Sequence, residues 1–155
     1  MKICQYLRPE LINSDLKAQN KEEVLTELAD QIAGHFPGMK TGDVLQVLLD
    51  RERLGSTGIG NGIGIPHGKL KGLETLLLGF GISRKGVDFE SMDNRPTCLF
   101  FLLITPENST GPHLKLLARI SKILKSDVFK EQLMNASDRD EIYNIIKEAD
   151  DSVEQ

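Results

Sequence analysis

Three residues offer chemistry that the rest of this 155-residue chain does not: His67, Arg51 and His113. His67 follows a glycine-laden approach in GSTGIGNGIGIPHGKL, residues 55–70, a stretch that holds six of the fourteen glycines. Glycine has no side chain to keep neighbours away, so backbone N–H groups in such a segment can come close to an anion. Pro66 restricts the residue before it to an extended shape. His67 is therefore expected where a strand ends at proline, open to a partner yet fixed in direction. A neutral imidazole in that setting suits a nucleophile: it can attack phosphorus, and a phosphoryl group carried on nitrogen stays transferable. A turn histidine satisfied by its own loop is the competing reading, and residue types alone leave both open.

Arg51 falls on the helical face marked by Val44, Val47 and Leu48, at i+7 and i+4 from the first two. A guanidinium at the end of a core-facing stripe is costly without an anion. That anion is either a ligand or an ordinary carboxylate of the chain. In STGPHLKLL, Pro112 suits the first helical position with Gly111 as cap, which puts His113 in the first turn. Free N–H groups and the helix dipole favour negative charge there. His113 also shares a face with Leu117, Ile120 and Leu124, so a hydrogen-bonded core histidine is the alternative. His35 has no comparable setting and reads as a surface residue near a helix end. No metal or cofactor is expected. The three histidines are far apart and neither cysteine has a paired spacing. The glycine stretch fails both phosphate-loop patterns. In G-x-G-x-x-G the last glycine falls on Ile63 or Ile65, and the P-loop count puts Ile63 and Leu70 where glycine and a hydroxyl are needed.

These residues need a scaffold, and hydrophobic periodicity supplies one. Asn20 and Glu23 have capping-box spacing ahead of a helix over 21–35, and a second helix is expected over 42–54. Ile63 and Ile65 alternate with glycine in a short strand that Pro66 terminates. The apolar runs 75–83 and 97–105 read as buried strands, with a short strand at 87–89 between them. Helices over 111–125, 126–135 capped by Ser126, and 137–148 capped by Ser137 complete the chain. The expected class is α/β, a single domain over 1–147 with helices flanking a central sheet.

Charge and composition narrow the partners. The net charge is −4, yet four acids, Glu148, Asp150, Asp151 and Glu154, lie in the last eight residues, which hold no Lys or Arg. The remaining 147 residues carry 19 acidic and 19 basic side chains, so nucleic acid is a poor partner. Residues 148–155 read as a solvated acidic tail. No apolar run approaches the roughly 20 residues that span a bilayer, and the N-terminus lacks a signal-peptide pattern. Cys4 and Cys98 give no disulfide framework, so the expected location is the cytoplasm.

Together, RERLGSTGIGNGIGIPHGKL (51–70), DFESMDNRPTCLFFLLITPE (88–107) and HLKLLARISKIL (113–124) resemble the IIA domain of fructose–mannitol type (type 2) of the bacterial phosphoenolpyruvate-dependent phosphotransferase system. The nitrogen-regulatory branch is the nearest type. The likeness covers most of the chain; Gly64, where the family usually has alanine, departs from it and is expected to loosen the strand slightly. The resemblance implies a mixed sheet flanked by helices. It implies that His67 accepts a phosphoryl group from an HPr-like phosphohistidine carrier, with Arg51 and His113 around it. A nitrogen-type member then acts on a regulatory target protein. A sugar-type member passes the group to a IIB domain for fructose or mannitol-type uptake. A binding module that never turns over phosphate is the third possibility.

Overall fold

The computed structural model describes residues 1–109 and 111–153. After two 3₁₀ turns, Ile3–Gln5 and Pro9–Leu11, the chain forms β1 (Ile12–Asn13), α1 (Lys21–Ala33), α2 (Thr41–Glu52), β2 (Gly58–Gly60), β3 (Ile63–Gly64), β4 (His67–Leu70), β5 (Leu77–Val87), β6 (Thr97–Pro106), α3 (Gly111–Ile123), α4 (Asp127–Asn135) and α5 (Arg139–Asp151). The six strands make one mixed sheet in the order β1-β5-β6-β3-β2, with β4 also on β6. β5 and β6 are antiparallel, while β1 runs parallel to β5 and both β3 and β4 run parallel to β6. The expected α/β class holds. The two long strands are buried nearly throughout, which is why they read as continuous apolar runs rather than alternating ones.

Pro66 interrupts a strand rather than ending one. β3 pairs with Leu99 and Phe100, and β4 resumes on the same neighbour opposite Leu103 to Pro106. Proline offers no N–H to a ladder, but its carbonyl still accepts from Leu103 N at 3.0 Å, so the break spans only Ile65 and Pro66. His67 is thus the first residue of a resumed edge strand.

The glycines of residues 55–70 make a hairpin rather than a loose loop. β2 and β3 are joined by Asn61 and Gly62, both with positive φ (56° and 79°). Asn-Gly with that backbone sign is the preferred two-residue hairpin turn, because its twist matches the strands. Other glycines serve close packing. A Cβ on Gly58 would stand 3.1 Å from the Ser91 backbone, and one on Gly64 would stand 3.2 Å from both Phe100 and Thr97. Position 64 is therefore tightly packed, not loosened.

Several boundaries differ from expectation for identifiable reasons. α2 ends at Glu52 because Gly55, at φ 135°, turns the chain away. Of the strand expected at 87–89 only Val87 is in a strand, as the last residue of β5, which continues past a register shift where Gly86 has φ 84°. α3 begins at Gly111, so Pro112 is its second residue and His113 its third. Ser126 caps α4 as expected, whereas the cap of α5 is Asp138, which accepts from Glu141 N; Ser137 instead donates its backbone N–H to the Glu141 carboxylate.

The acidic end is not a free tail. α5 runs through Asp151, and Asp150 is fully buried, bonded to Arg119 of α3 at 2.5 Å and accepting from Cys4 N at 3.2 Å. Glu148 and Asp151 are exposed, and Glu154 lies outside the described residues.

Candidate functional site

Edge position and close packing bring the three candidate residues together. A Cβ on Gly68 would lie 3.0 Å from Val47 Cγ2 and 3.2 Å from the Val47 carbonyl, so α2 crosses β4 nearly in backbone contact. One turn beyond Val47 comes Arg51, which this crossing sets beside the start of β4. Gly68 is the β4 residue pressed against α2, and His67 just before it stands within hydrogen-bond reach of Arg51. His113 of α3 meets the His67 ring edge-on, with ring centroids 5.4 Å apart and planes at 72°.

Hydrogen bonds fix the state of the His67 ring. Nδ1 lies 2.8 Å from the Ile65 carbonyl, which can only accept, so Nδ1 carries the proton. Nε2 therefore presents its lone pair, and Arg51 Nε donates to it at 3.3 Å. Arg51 Nη1 donates to the Gly55 carbonyl at 3.0 Å. No carboxylate of the described residues lies within ion-pair distance of Arg51, which removes the ordinary ion-pair reading. His113 is half-buried, and its Nδ1 has no hydrogen-bond partner among the described residues. A core histidine normally finds one. His35 is exposed, in the turn just past α1, and bonded to the Gln31 carbonyl of that helix.

Burial is the main cause holding the His67 imidazole below its ordinary value of 6.5. The Ile65 carbonyl opposes the shift, the Arg51 charge adds to it, and Glu52 opposes it weakly. Burial also lowers His113, aided by His67 and Lys69. Both rings are thus neutral at pH 7. A depressed folded-state value means that the unfolded chain binds protons first as pH falls. The two rings should contribute fully to stability above 6.5 and lose that contribution as pH drops below it through their folded values. Titration of the ring carbon protons by NMR should place both midpoints on the acid side of 6.5. A midpoint for His67 at or above that value would contradict this environment.

Sequence reasoning missed Glu52, Lys21 and Thr57, whose buried contacts link α1, α2 and the hairpin. Charge pattern carried no sign of them, because RERL reads as an exposed helix end.

Residues 5–149 match the family described as "Phosphoenolpyruvate-dependent sugar phosphotransferase system, EIIA 2". The chain belongs to that family. It is 40% identical over 146 residues to a nitrogen regulatory protein of Bradyrhizobium diazoefficiens, covering 94% of this chain and 95% of that one. It is also 34% identical over 152 residues to the fructose-specific EIIABC component of Bacillus subtilis, where it matches 97% of itself but only 24% of the longer protein. The nitrogen regulatory protein IIA-Ntr of Neisseria meningitidis superposes with a TM-score of 0.87 at 32% identity, over 93% of this chain and 98% of that one. The chain is a type-2 IIA domain, with nitrogen-regulatory relatives and sugar-specific ones. Among the described residues no helix is long and apolar enough to cross a membrane.

Proposed function

We propose that the protein is a histidine phosphocarrier, accepting a phosphoryl group on Nε2 of His67 from the phosphohistidine of an HPr-like carrier and acting on a regulatory target. The observation that carries this reading is the forced tautomer: a neutral ring whose free lone pair faces a guanidinium. As the Nε2 lone pair forms the new N–P bond, the carrier's N–P bond breaks and its electron pair returns to the carrier's ring. Transfer between two nitrogens needs no proton to move in that step. Positive charge growing on the His67 ring is stabilised by the Nδ1–H bond to Ile65. What remains is in-line placement and stabilisation of the equatorial oxygens. Arg51 supplies the main positive charge, shifting its Nε–H from Nε2 to a phosphoryl oxygen. His113, in the first turn of α3, supplies a donor at the positive end of the helix dipole. Leu54, three residues past Arg51, and Leu114, next to His113 in the chain, are exposed and would give a carrier apolar surface to dock on.

Incubation with phosphoenolpyruvate, Enzyme I and an HPr-type carrier, followed by intact mass, tests the reading. One phosphoryl group per chain is expected, and none would leave only a binding module. The fructose-type relative supports a second reading, in which the group passes on to a IIB domain. Loss of label on adding a IIB protein, with sugar phosphate formed, would select it. The same assay addresses Arg51. Arg51→Ala should slow transfer by roughly two orders of magnitude, the scale of losing one preorganised electrostatic contact. Arg51→Lys should fall between, since an ammonium cannot present a planar fork. Wild-type rates in Arg51→Ala would remove it from the site.

A further inference from the structure

Glu52 ends α2, where the helix dipole is negative, and its side chain is only 5% exposed. A buried carboxylate at that end is unfavourable unless its partners are well placed. Three are. Lys21 Nζ, itself above the Phe89 ring, lies 2.9 Å from Oε1, Thr57 N donates to Oε1 at 3.1 Å, and the Thr57 hydroxyl donates to Oε2. We infer that Glu52, through Thr57, is the positioning residue that sets both His67 and Arg51 for phosphoryl transfer, an inference that rests on the phosphocarrier reading.

Two arms lead from this one carboxylate. Thr57 O accepts from Ile65 N at 3.0 Å, and the Ile65 carbonyl in turn takes His67 Nδ1–H. Glu52 thereby fixes the carbonyl that selects the ring tautomer. The other arm runs back along the turn, because holding Thr57 against the end of α2 folds residues 53–56 into a tight bend. That bend turns the Gly55 carbonyl onto Arg51 Nη1, which leaves Nε aimed at His67 Nε2. Ser56 Oγ anchors the same bend by donating to the Phe89 carbonyl at 2.7 Å. The carboxylate touches neither reacting atom; it acts through Thr57.

The experiment compares Glu52→Gln, Thr57→Val and Thr57→Ser with wild type, each alone and in an Arg51→Ala background. The rate of phosphoryl uptake from the HPr-type carrier is measured together with ¹⁵N NMR of the His67 ring and the Arg51 Nε–H group. Glu52→Gln and Thr57→Val should each slow uptake roughly tenfold to a hundredfold, the cost of small misplacement. Thr57→Ser, which keeps the hydroxyl, should restore it. The loss should shrink clearly in the Arg51→Ala background, because one arm ends on that residue. The His67 spectrum should lose Nδ1–H tautomer in Glu52→Gln. Equal losses in both backgrounds with unchanged ring and guanidinium signals would reduce Glu52 to a structural ion pair and overturn the inference. The NMR signals are read without phosphate. Failure of wild-type uptake would therefore sink the phosphocarrier reading while the spectra still judge Glu52. If Glu52→Gln does not fold, Thr57→Val against Thr57→Ser decides alone.

Discussion

His67→Ala is expected to take up no phosphoryl group under conditions where wild type takes up one, while remaining folded. His67 is half-buried at the start of an edge strand, so its loss removes a nucleophile without opening a large cavity. Neither other histidine can substitute. His35 is exposed and tied to the Gln31 carbonyl just past the end of α1, and the guanidinium of Arg51 donates to His67 rather than to His113. His113→Ala makes the informative contrast. It should still accept one group, because the nucleophile and its tautomer-fixing carbonyl remain, but transfer into the protein and back to the carrier should both slow. Intact mass, acid lability of the label and thermal unfolding on the same preparations separate these outcomes. One phosphoryl group on His67→Ala would refute the assignment, and a large drop in melting temperature with unchanged rates would make His113 a scaffold residue.

The contrast between these two histidines shows what the sequence could carry. His67 was legible because its surroundings are local: the glycines, the proline and the extended shape they impose are all within a few residues. The helices and the two long strands were legible for the same reason, through apolar period and run length. The meeting of His67 with Arg51 and His113 depends on α2 crossing β4 at Gly68 and on the first turn of α3 reaching the sheet edge. Neither is a local property. β1 has two residues and no periodicity to detect, and its existence depends on β5 offering an open edge. The hairpin is a different case. Asn61-Gly62 is a recognised turn signal, masked here because the flanking strands are mostly glycine and show no side-chain alternation. Ser137 and Asp138 are both good caps, and Asp138 takes the role because its carboxylate reaches Glu141 N.

The acidic end was misread for a reason that yields the second large effect. Four acids in eight residues with no Lys or Arg among them look solvated, but one helical position in three or four faces inward, and Asp150 holds it. Its carboxylate meets Arg119 Nε at 2.5 Å and its backbone carbonyl accepts from Arg119 Nη2 at 2.6 Å, joining α5 to α3 with Arg119 itself 8% exposed. Asp150→Asn should leave that guanidinium buried without its counter-charge, and breaking one partner of such a pair costs about 3–5 kcal/mol. Urea denaturation should show a large drop in midpoint. Asp151→Asn, one residue on and ion-paired among the described residues with the exposed ends of Lys2 and Lys147, should shift the midpoint little. Replacing both buried partners, as Arg119→Met with Asp150→Leu, should recover much of the loss, since the cost lies in the unpaired charge rather than in missing attraction. α3 carries His113 at its other end, so the single Asp150→Asn variant should also slow phosphoryl transfer in the fraction that stays folded. Equal midpoints for Asp150→Asn and Asp151→Asn would show that the α3–α5 clasp holds nothing, and the end of the chain would then be the solvated tail its charges suggest.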